Sequence, residues 1–250
     1  MIHPTAVIEK GAQIDHGVRI GPYCRVSKGV HLSRGVILES HVVIEAHVTI
    51  KKNSHLFSFV HIGNGKSHIT IGEFCYIREF AQIATDDADS GSVSIGDHCY
   101  IMAYAHIHTD VSIAEACIVT NNVILSQGSR CQTRVIIGAK ATVAKKCTIG
   151  AGSMIGGVSA VQHDIPPFCL VEGHPRATIR GLNLVGMRRN FKDRKSITAM
   201  KHAFVHLKKV HFCTKEASKL LDTLEDAYAK QFVAFISTHT ISSLQKLSKR

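Results

Sequence analysis

From Ile2 onward an aliphatic residue recurs at every sixth position: Ile8, Ile14, Ile20, Val26, Leu32, Leu38, Ile44, Ile50, Leu56 and Ile62. The beat slips by three residues around Gly63–Lys66 and resumes at Ile71, Ile77 and Ile83. After the polar stretch Asp86–Ser92 it runs unbroken from Ile95 to Val161, with Cys131 filling one of the positions. Four residues after each aliphatic, a second register holds small side chains such as Ala6, Ala12, Val18 and Cys24. A period of six is neither the strand's two nor the helix's 3.6. It describes short strands joined by corners, each sending one large and one small side chain inward, with three strands closing a triangular coil. The predicted fold is therefore mainly β, a left-handed parallel β-helix of hexapeptide repeats. At roughly 18 residues per coil, residues 1–165 make about nine coils spaced ~4.8 Å apart, a prism on the order of 40 Å long.

At Asp164-Ile165-Pro166-Pro167 the beat stops, because proline cannot keep donating to a ladder. Residues 166–190 read as an irregular bridge and 191–250 as a small C-terminal α-helical domain. Asp193 is placed to cap a helix whose apolar residues Ile197, Met200, Phe204 and Leu207 fall at helical spacing. Thr214 opens a second, with Leu220, Leu221, Leu224 and Tyr228 on one face, and a third apolar patch, Phe232 to Ile236, precedes a polar end expected to fray.

Charge divides at the same boundary. Residues 1–165 hold 14 Lys/Arg against 13 Asp/Glu, while residues 166–250 hold 16 against 6, so nearly all of the net +11 lies in the tail. Such a surface suits an acidic partner. Nucleic acid is set aside, since aromatics are only 6% of the chain and no recognition motif occurs. No apolar run reaches the ~18 residues of a membrane span, and Met1-Ile2-His3-Pro4 does not begin a leader, so a soluble cytoplasmic protein is expected. The eight cysteines form no CxxC pair. Cys24, Cys75, Cys99, Cys117 and Cys147 fall in the small inward register, where a reduced thiol serves as a small hydrophobe, and no metal site or cofactor is expected.

Most of the seventeen histidines occupy outward repeat positions. The exception is Ala105-His106-Ile107-His108-Thr109-Asp110, which gathers two imidazoles and a carboxylate at one corner. A histidine oriented by a carboxylate is a candidate general base, and His106, His108 and Asp110 are the candidate catalytic residues.

The chain resembles the bacterial acyl-carrier-protein-dependent UDP-N-acetylglucosamine O-acyltransferases over nearly its full length. The likeness lies in Ile2-His3-Pro4-Thr5-Ala6, Ile77-Arg78-Glu79, Met102-Ala103-Tyr104-Ala105-His106-Ile107, Asn121-Asn122, Asp164-Ile165-Pro166-Pro167-Phe168, Val171-Glu172-Gly173 and Gly181-Leu182-Asn183-Leu184-Val185-Gly186-Met187-Arg188-Arg189. The resemblance implies a homotrimer of prisms with sites in the clefts between subunits. It implies transfer of a 3-hydroxyacyl chain from acyl carrier protein to the sugar 3-hydroxyl of UDP-N-acetylglucosamine, the first step of lipid A synthesis. A histidine would take the hydroxyl proton, a backbone N–H would hold the oxyanion, and the basic tail would dock the carrier protein. Asn183, Arg188 and Arg189 are the implied nucleotide-sugar contacts; Lys145 and Gln127 are further substrate-binding candidates.

The site departs from the family pattern. Where the family has Ala-His-Ile-Ala-His-Asp, with its second histidine as base, the base position is Thr109 and a histidine stands one residue earlier, at His108. The family's Ala-Gly-His is Ser126-Gln127-Gly128, its Ile-His-Gln is Val143-Ala144-Lys145, the histidine after the Ile-Arg-Glu strand is Ala84, and the insertion near Gly63–His68 is shortened. Four readings stand: the same acyltransferase with a rearranged base, an acyltransferase for another nucleotide sugar or acyl group, a catalytically silent paralogue that retains binding, and a zinc-dependent hydratase of the same β-helix type.

Overall fold

A computed structural model describes residues 1–85, 91–191 and 193–238. Its strands, most of them two residues long, fall into three sheets that are parallel through residue 161, and up to that point every third strand joins the same sheet. The first sheet has nine strands, from Val7–Ile8 to Ala160–Val161; the second has eight, from Gln13–Ile14 to Thr148–Ile149. The third begins at Arg19–Ile20 and reaches ten strands by adding Cys169–Glu172 and Thr178–Leu182 beyond the repeats.

Register follows the period. Val7 pairs with Arg25 and His106 with Ile124, in both cases three hexapeptides further along the chain. The slip at Gly63–Lys66 lengthens one coil, so that His61 pairs with Gln82 where an unbroken beat would have brought Glu79. The break near residues 84–91 lengthens the next, so that Gln82 pairs with His106 in place of Tyr100. Both extensions fall between a first-sheet strand and a second-sheet strand, and hence along the same edge.

The second residue of each short strand forms the core. Val26, Ile44, Ile62, Ile83, Ile107, Leu125, Val143 and Val161 stack down the first sheet, each at most 1% exposed. The third sheet repeats the column with Leu38, Leu56, Ile77, Ile101, Val119, Ile137 and Ile155. Corners turn through a residue in the left-handed region, a conformation that costs a non-glycine side chain energy and that the ladders on either side impose. On the edge between the third and first sheets these residues are Tyr23, His41, Phe59, Phe80 and Tyr104, with φ between 57° and 64°. Their rings stack into one exterior column with centroids 4.8–5.0 Å apart, the rung spacing of the prism.

Inside, Cys75, Cys99 and Cys117 occupy successive rungs of one column, and their thiols donate to the Gly96, Ala114 and Gln132 carbonyls at 3.1, 3.1 and 3.0 Å. Ser54 Oγ donates to the Gly72 carbonyl at 2.7 Å in the same way. The small register thus satisfies turn carbonyls that an alanine would leave to themselves. Burial pushes the Cys131 thiol up to about 12 and the Cys147 thiol to about 11. Seven of the eight cysteines are buried and only Cys213 is half-exposed. A thiol reagent at neutral pH is therefore expected to titrate about one thiol quickly in the folded protein and all eight after denaturation. Rapid reaction of several thiols in the native state would contradict this core.

Past the repeats the structure is more regular than an irregular bridge. Cys169–Glu172 runs parallel to Met154–Ile155, then Thr178–Leu182 returns antiparallel to it, with a bulge at Leu170/Val171. Helix α1, Leu184–Asn190, follows at once, capped by Asn183. Helix α2, Arg194–Lys209, begins where expected: Asp193 Oδ1 accepts from Ser196 N at 2.8 Å, which holds that carboxyl below its usual range. The second expected helix divides. Helix α3, Thr214–Leu221, stops short, and Tyr228 belongs to helix α4, Ala227–Thr238, whose start Asp226 caps by accepting from Tyr228 N and Ala229 N at 3.0 and 2.9 Å. The Phe232–Ile236 patch is part of α4. Apolar spacing cannot register a break of one turn when both sides present side chains to the same core. The polar end lies outside the described residues, as do residues 86–90. Among the described residues no helix is long and apolar enough to cross a membrane.

Candidate active site

His106 sits on the strand His106–Ile107, between Gln82 on the rung before and Ile124 on the rung after, with Ile107 fully buried beneath it. His108 is the next outward residue, and its main-chain N–H donates to the Leu125 carbonyl at 3.0 Å. The two imidazoles stack, with centroids 4.4 Å apart and planes 14° from parallel. Both are half-buried. The outward positions on the two rungs after His108 are small, Ser126 and Ala144, while the matching residue on the rung before, Ala84, is fully buried. Ala84 N donates to the Ile107 carbonyl at 2.7 Å and Ser126 N to the Val143 carbonyl at 3.0 Å, which sets them on adjoining rungs. His108 therefore stands out from a strip of short side chains.

Thr109 is fully buried, and its hydroxyl has no hydrogen-bond partner among the described residues. Gly91 explains the fit: a Cβ there would come within 3.1 Å of Thr109 Cβ and 2.9 Å of Asp110 Oδ1, so the returning backbone closes directly over Thr109. Asp110 takes the left-handed corner position with φ 60°. Its Oδ1 accepts from Ser92 N at 3.1 Å and its Oδ2 from Gln127 Nε2 at 3.3 Å. The corresponding residue one coil on is Gly128, φ 72°, and Lys146 lies across it, its Cγ 3.2 Å from where a glycine Cβ would be.

The edge between the first and second sheets thus gathers His106, His108, Asp110 and Gln127, with Lys145 exposed one rung further. Sequence reasoning singled out Lys145 and passed over Lys146, although Lys146 falls one coil after Gly128, a corner glycine whose bare backbone invites a neighbouring stem. The remaining candidates lie elsewhere. Asn183 Oδ1 accepts from Gly186 N at 3.0 Å, and its Nδ2 donates to the Gly152 carbonyl at 2.9 Å, on the edge between the second and third sheets. Its side chain is committed to capping α1 and tying it to the prism. Arg188 and Arg189 project from the exposed last turn of α1. Arg188 lines an open cleft of about 610 Å³ between α1 and α2, together with Phe191, Asp193, Arg194 and Lys201. Arg78 and Glu79 pair with each other through two bonds of 2.9 and 3.0 Å, and Arg78 lies over the Phe57 ring, its guanidinium carbon 4.4 Å from the centroid. Among the described residues of one chain, no three His, Cys, Asp or Glu side chains group closely enough to hold a metal ion.

Comparison with known proteins agrees with this architecture. Residues 92–127 match the bacterial transferase hexapeptide profile of six repeats, and residues 164–243 match the second domain of UDP N-acetylglucosamine O-acyltransferase. The acyl-[acyl-carrier-protein]–UDP-N-acetylglucosamine O-acyltransferase of Aliarcobacter butzleri is 41% identical to the chain, over 94% of each protein. The chain belongs to the UDP-N-acetylglucosamine O-acyltransferase family. The enzyme of the same name from Campylobacter jejuni subsp. doylei is 38% identical over 94% of this chain and 93% of its own. The solved structure of UDP-N-acetylglucosamine acyltransferase from Campylobacter jejuni superposes with a TM-score of 0.80 at 32% identity, covering both chains completely.

Proposed function

We propose that the protein transfers a 3-hydroxyacyl group from acyl carrier protein to the 3-hydroxyl of UDP-N-acetylglucosamine, with His108 as the general base. The observation that carries the assignment is the corner itself. Thr109 is enclosed, while His108, one residue earlier, stands on an approachable strip with Asp110 two residues on. In the forward step the imidazole takes the proton of the sugar hydroxyl as its oxygen attacks the thioester carbonyl. The tetrahedral oxyanion is held by a backbone N–H of the Ser126–Gly128 corner. The carbon–sulfur bond then breaks, the carrier's thiolate leaves, and the imidazolium returns its proton to it. His106, stacked on His108, limits the ring's freedom.

The phosphate-binding candidates support a composite site. His108 occupies the edge between the first and second sheets, whereas α1 with Arg188 and Arg189 is tied to the edge between the second and third. Two copies in a trimer would bring one copy's histidine edge against another's α1, with Arg188, Arg189, Lys145 and Lys146 around the diphosphate. The exposed cations of α2, Arg194, Lys195, Lys201, Lys208 and Lys209, offer the acidic carrier protein a surface. Buried reduced thiols fit a cytoplasmic location.

Purified protein given 3-hydroxyacyl carrier protein and labelled UDP-N-acetylglucosamine should produce acylated nucleotide sugar. Product only from a different nucleotide sugar would move the assignment to that acceptor. Binding of nucleotide sugar and carrier protein with no product from any acceptor would replace it with the silent reading.

A further inference from the structure

We propose that Gln127 is a positioning residue of this corner: together with the Ser92 main-chain N–H, its side-chain amide holds the Asp110 carboxylate from the coils after and before it, and so fixes the segment that presents His108. The inference rests on reading this corner as the acyl-transfer site, and it replaces the expectation that Gln127 contacts substrate.

The need for a clamp follows from the local backbone. Asp110 occupies the left-handed region on an exposed edge, a conformation that a short acidic residue tolerates but does not favour. The rung before it holds Gly91 and Ser92, where the chain pairs with His68. That pairing has no slack, since even a methyl group at Gly91 would meet Asp110 Oδ1 at 2.9 Å. Oδ1 accepts from Ser92 N at 3.1 Å, which pins the returning strand, and Oδ2 accepts from Gln127 Nε2 at 3.3 Å, which pins the rung after. Two main-chain bonds complete the attachment: His108 N to the Leu125 carbonyl at 3.0 Å and Gly128 N to the Thr109 carbonyl at 3.2 Å. One carboxylate therefore joins three rungs, and residues 108–110 cannot turn without breaking a bond to one of them. Moving a side chain by a single corner position changes its direction by a large angle, so the aim of His108 depends on this segment holding its conformation. The bond to Asp110 occupies one of the two N–H donors of the Gln127 amide and sets the plane of that amide against the carboxylate.

The test uses the full-length protein and two variants that keep the size of the side chain, Gln127→Glu and Gln127→Leu, with a donor–acceptor exchange as the rescue. Gln127→Glu sets a second carboxylate against Asp110. It should lower kcat by about 10–100-fold while KM for the nucleotide sugar changes by less than about threefold. Combining Gln127→Glu with Asp110→Asn restores one hydrogen bond with its ends exchanged and leaves an acceptor for Ser92 N. The double variant should recover at least about tenfold over the Gln127→Glu single variant. A readout independent of turnover is amide exchange at Ser92, which should quicken by about tenfold in Gln127→Leu while exchange in distant coils is unchanged. A rise in KM with kcat preserved, or a double variant no better than the worse single one, would return Gln127 to the role of substrate ligand. Faster Ser92 exchange in a protein that transfers no acyl group would sustain the clamp and remove the acyl-transfer reading. Unchanged exchange at Ser92 would remove the clamp whatever the activity.

Discussion

Alanine at His108 is expected to lower kcat for acyl transfer by roughly 10²–10⁴-fold, the usual contribution of a positioned base, with binding of the nucleotide sugar and thermal stability close to wild type. Alanine at His106 should cost less, about tenfold, since that ring acts by stacking 4.4 Å from its neighbour and restricting it. The discriminating variant is Thr109→His, which restores the family residue at the family position. Thr109 is fully buried under the Gly91 backbone, so an imidazole there must push the returning strand outward. It should destabilise the fold by about 1–3 kcal/mol, as overpacking does, without raising turnover. A Thr109→His enzyme that outpaces wild type, or a His108→Ala enzyme that keeps its rate, would show that the base is not His108.

The fold was legible because a hexapeptide period leaves a chain little choice: a one-residue slip in any coil would turn its aliphatic column to solvent. The same constraint made the two extensions visible as interruptions of the beat, and the displaced ladder partners of His61 and Gln82 agree with them. The tail was less legible where its signals are weak. Helix α1 carries a glycine and has one buried residue, Met187, so it presents almost no apolar period to detect, and α3 and α4 share a core that hides the break between them. At the site, His106, His108 and Asp110 were named from their types and spacing, and Gln127 and Lys145 from the family resemblance, but the relations among them were not. That Asp110 bonds Ser92 and Gln127, that Asn183 spends its amide on Gly152 as well as Gly186, and that Thr109 is enclosed all depend on which rung lies beside which. Most of those neighbours lie about a coil or more apart in the chain. Only the glycines carried a hint, Gly91 and Gly128 each falling about one coil before a side chain that uses the space they leave.

Ile107→Ala should destabilise the protein by about 2–5 kcal/mol, because it empties a fully buried site between Ile83 and Leu125 on the neighbouring rungs. Ile8→Ala should cost well under half as much. Ile8 stands in the same column, but on the end strand of that sheet, and it is only partly buried. A solenoid gains stability rung by rung from nearest neighbours, so a cavity in the middle weakens two interfaces and a cavity at the end weakens one already open to water. Denaturant unfolding of the two variants measures the contrast, and amide exchange locates it: Ile8→Ala should speed exchange in the first coils alone, while Ile107→Ala should speed it on both sides of the histidine corner. The consequence for chemistry follows from position. His106 and His108 flank Ile107, so the central cavity should also lower kcat, whereas fraying at the first coil, five rungs earlier in the same sheet, should leave kcat unchanged. Equal losses of stability from the two variants would mean that the aliphatic columns do not carry the fold, and with them would go the argument that a rigid prism aims the base.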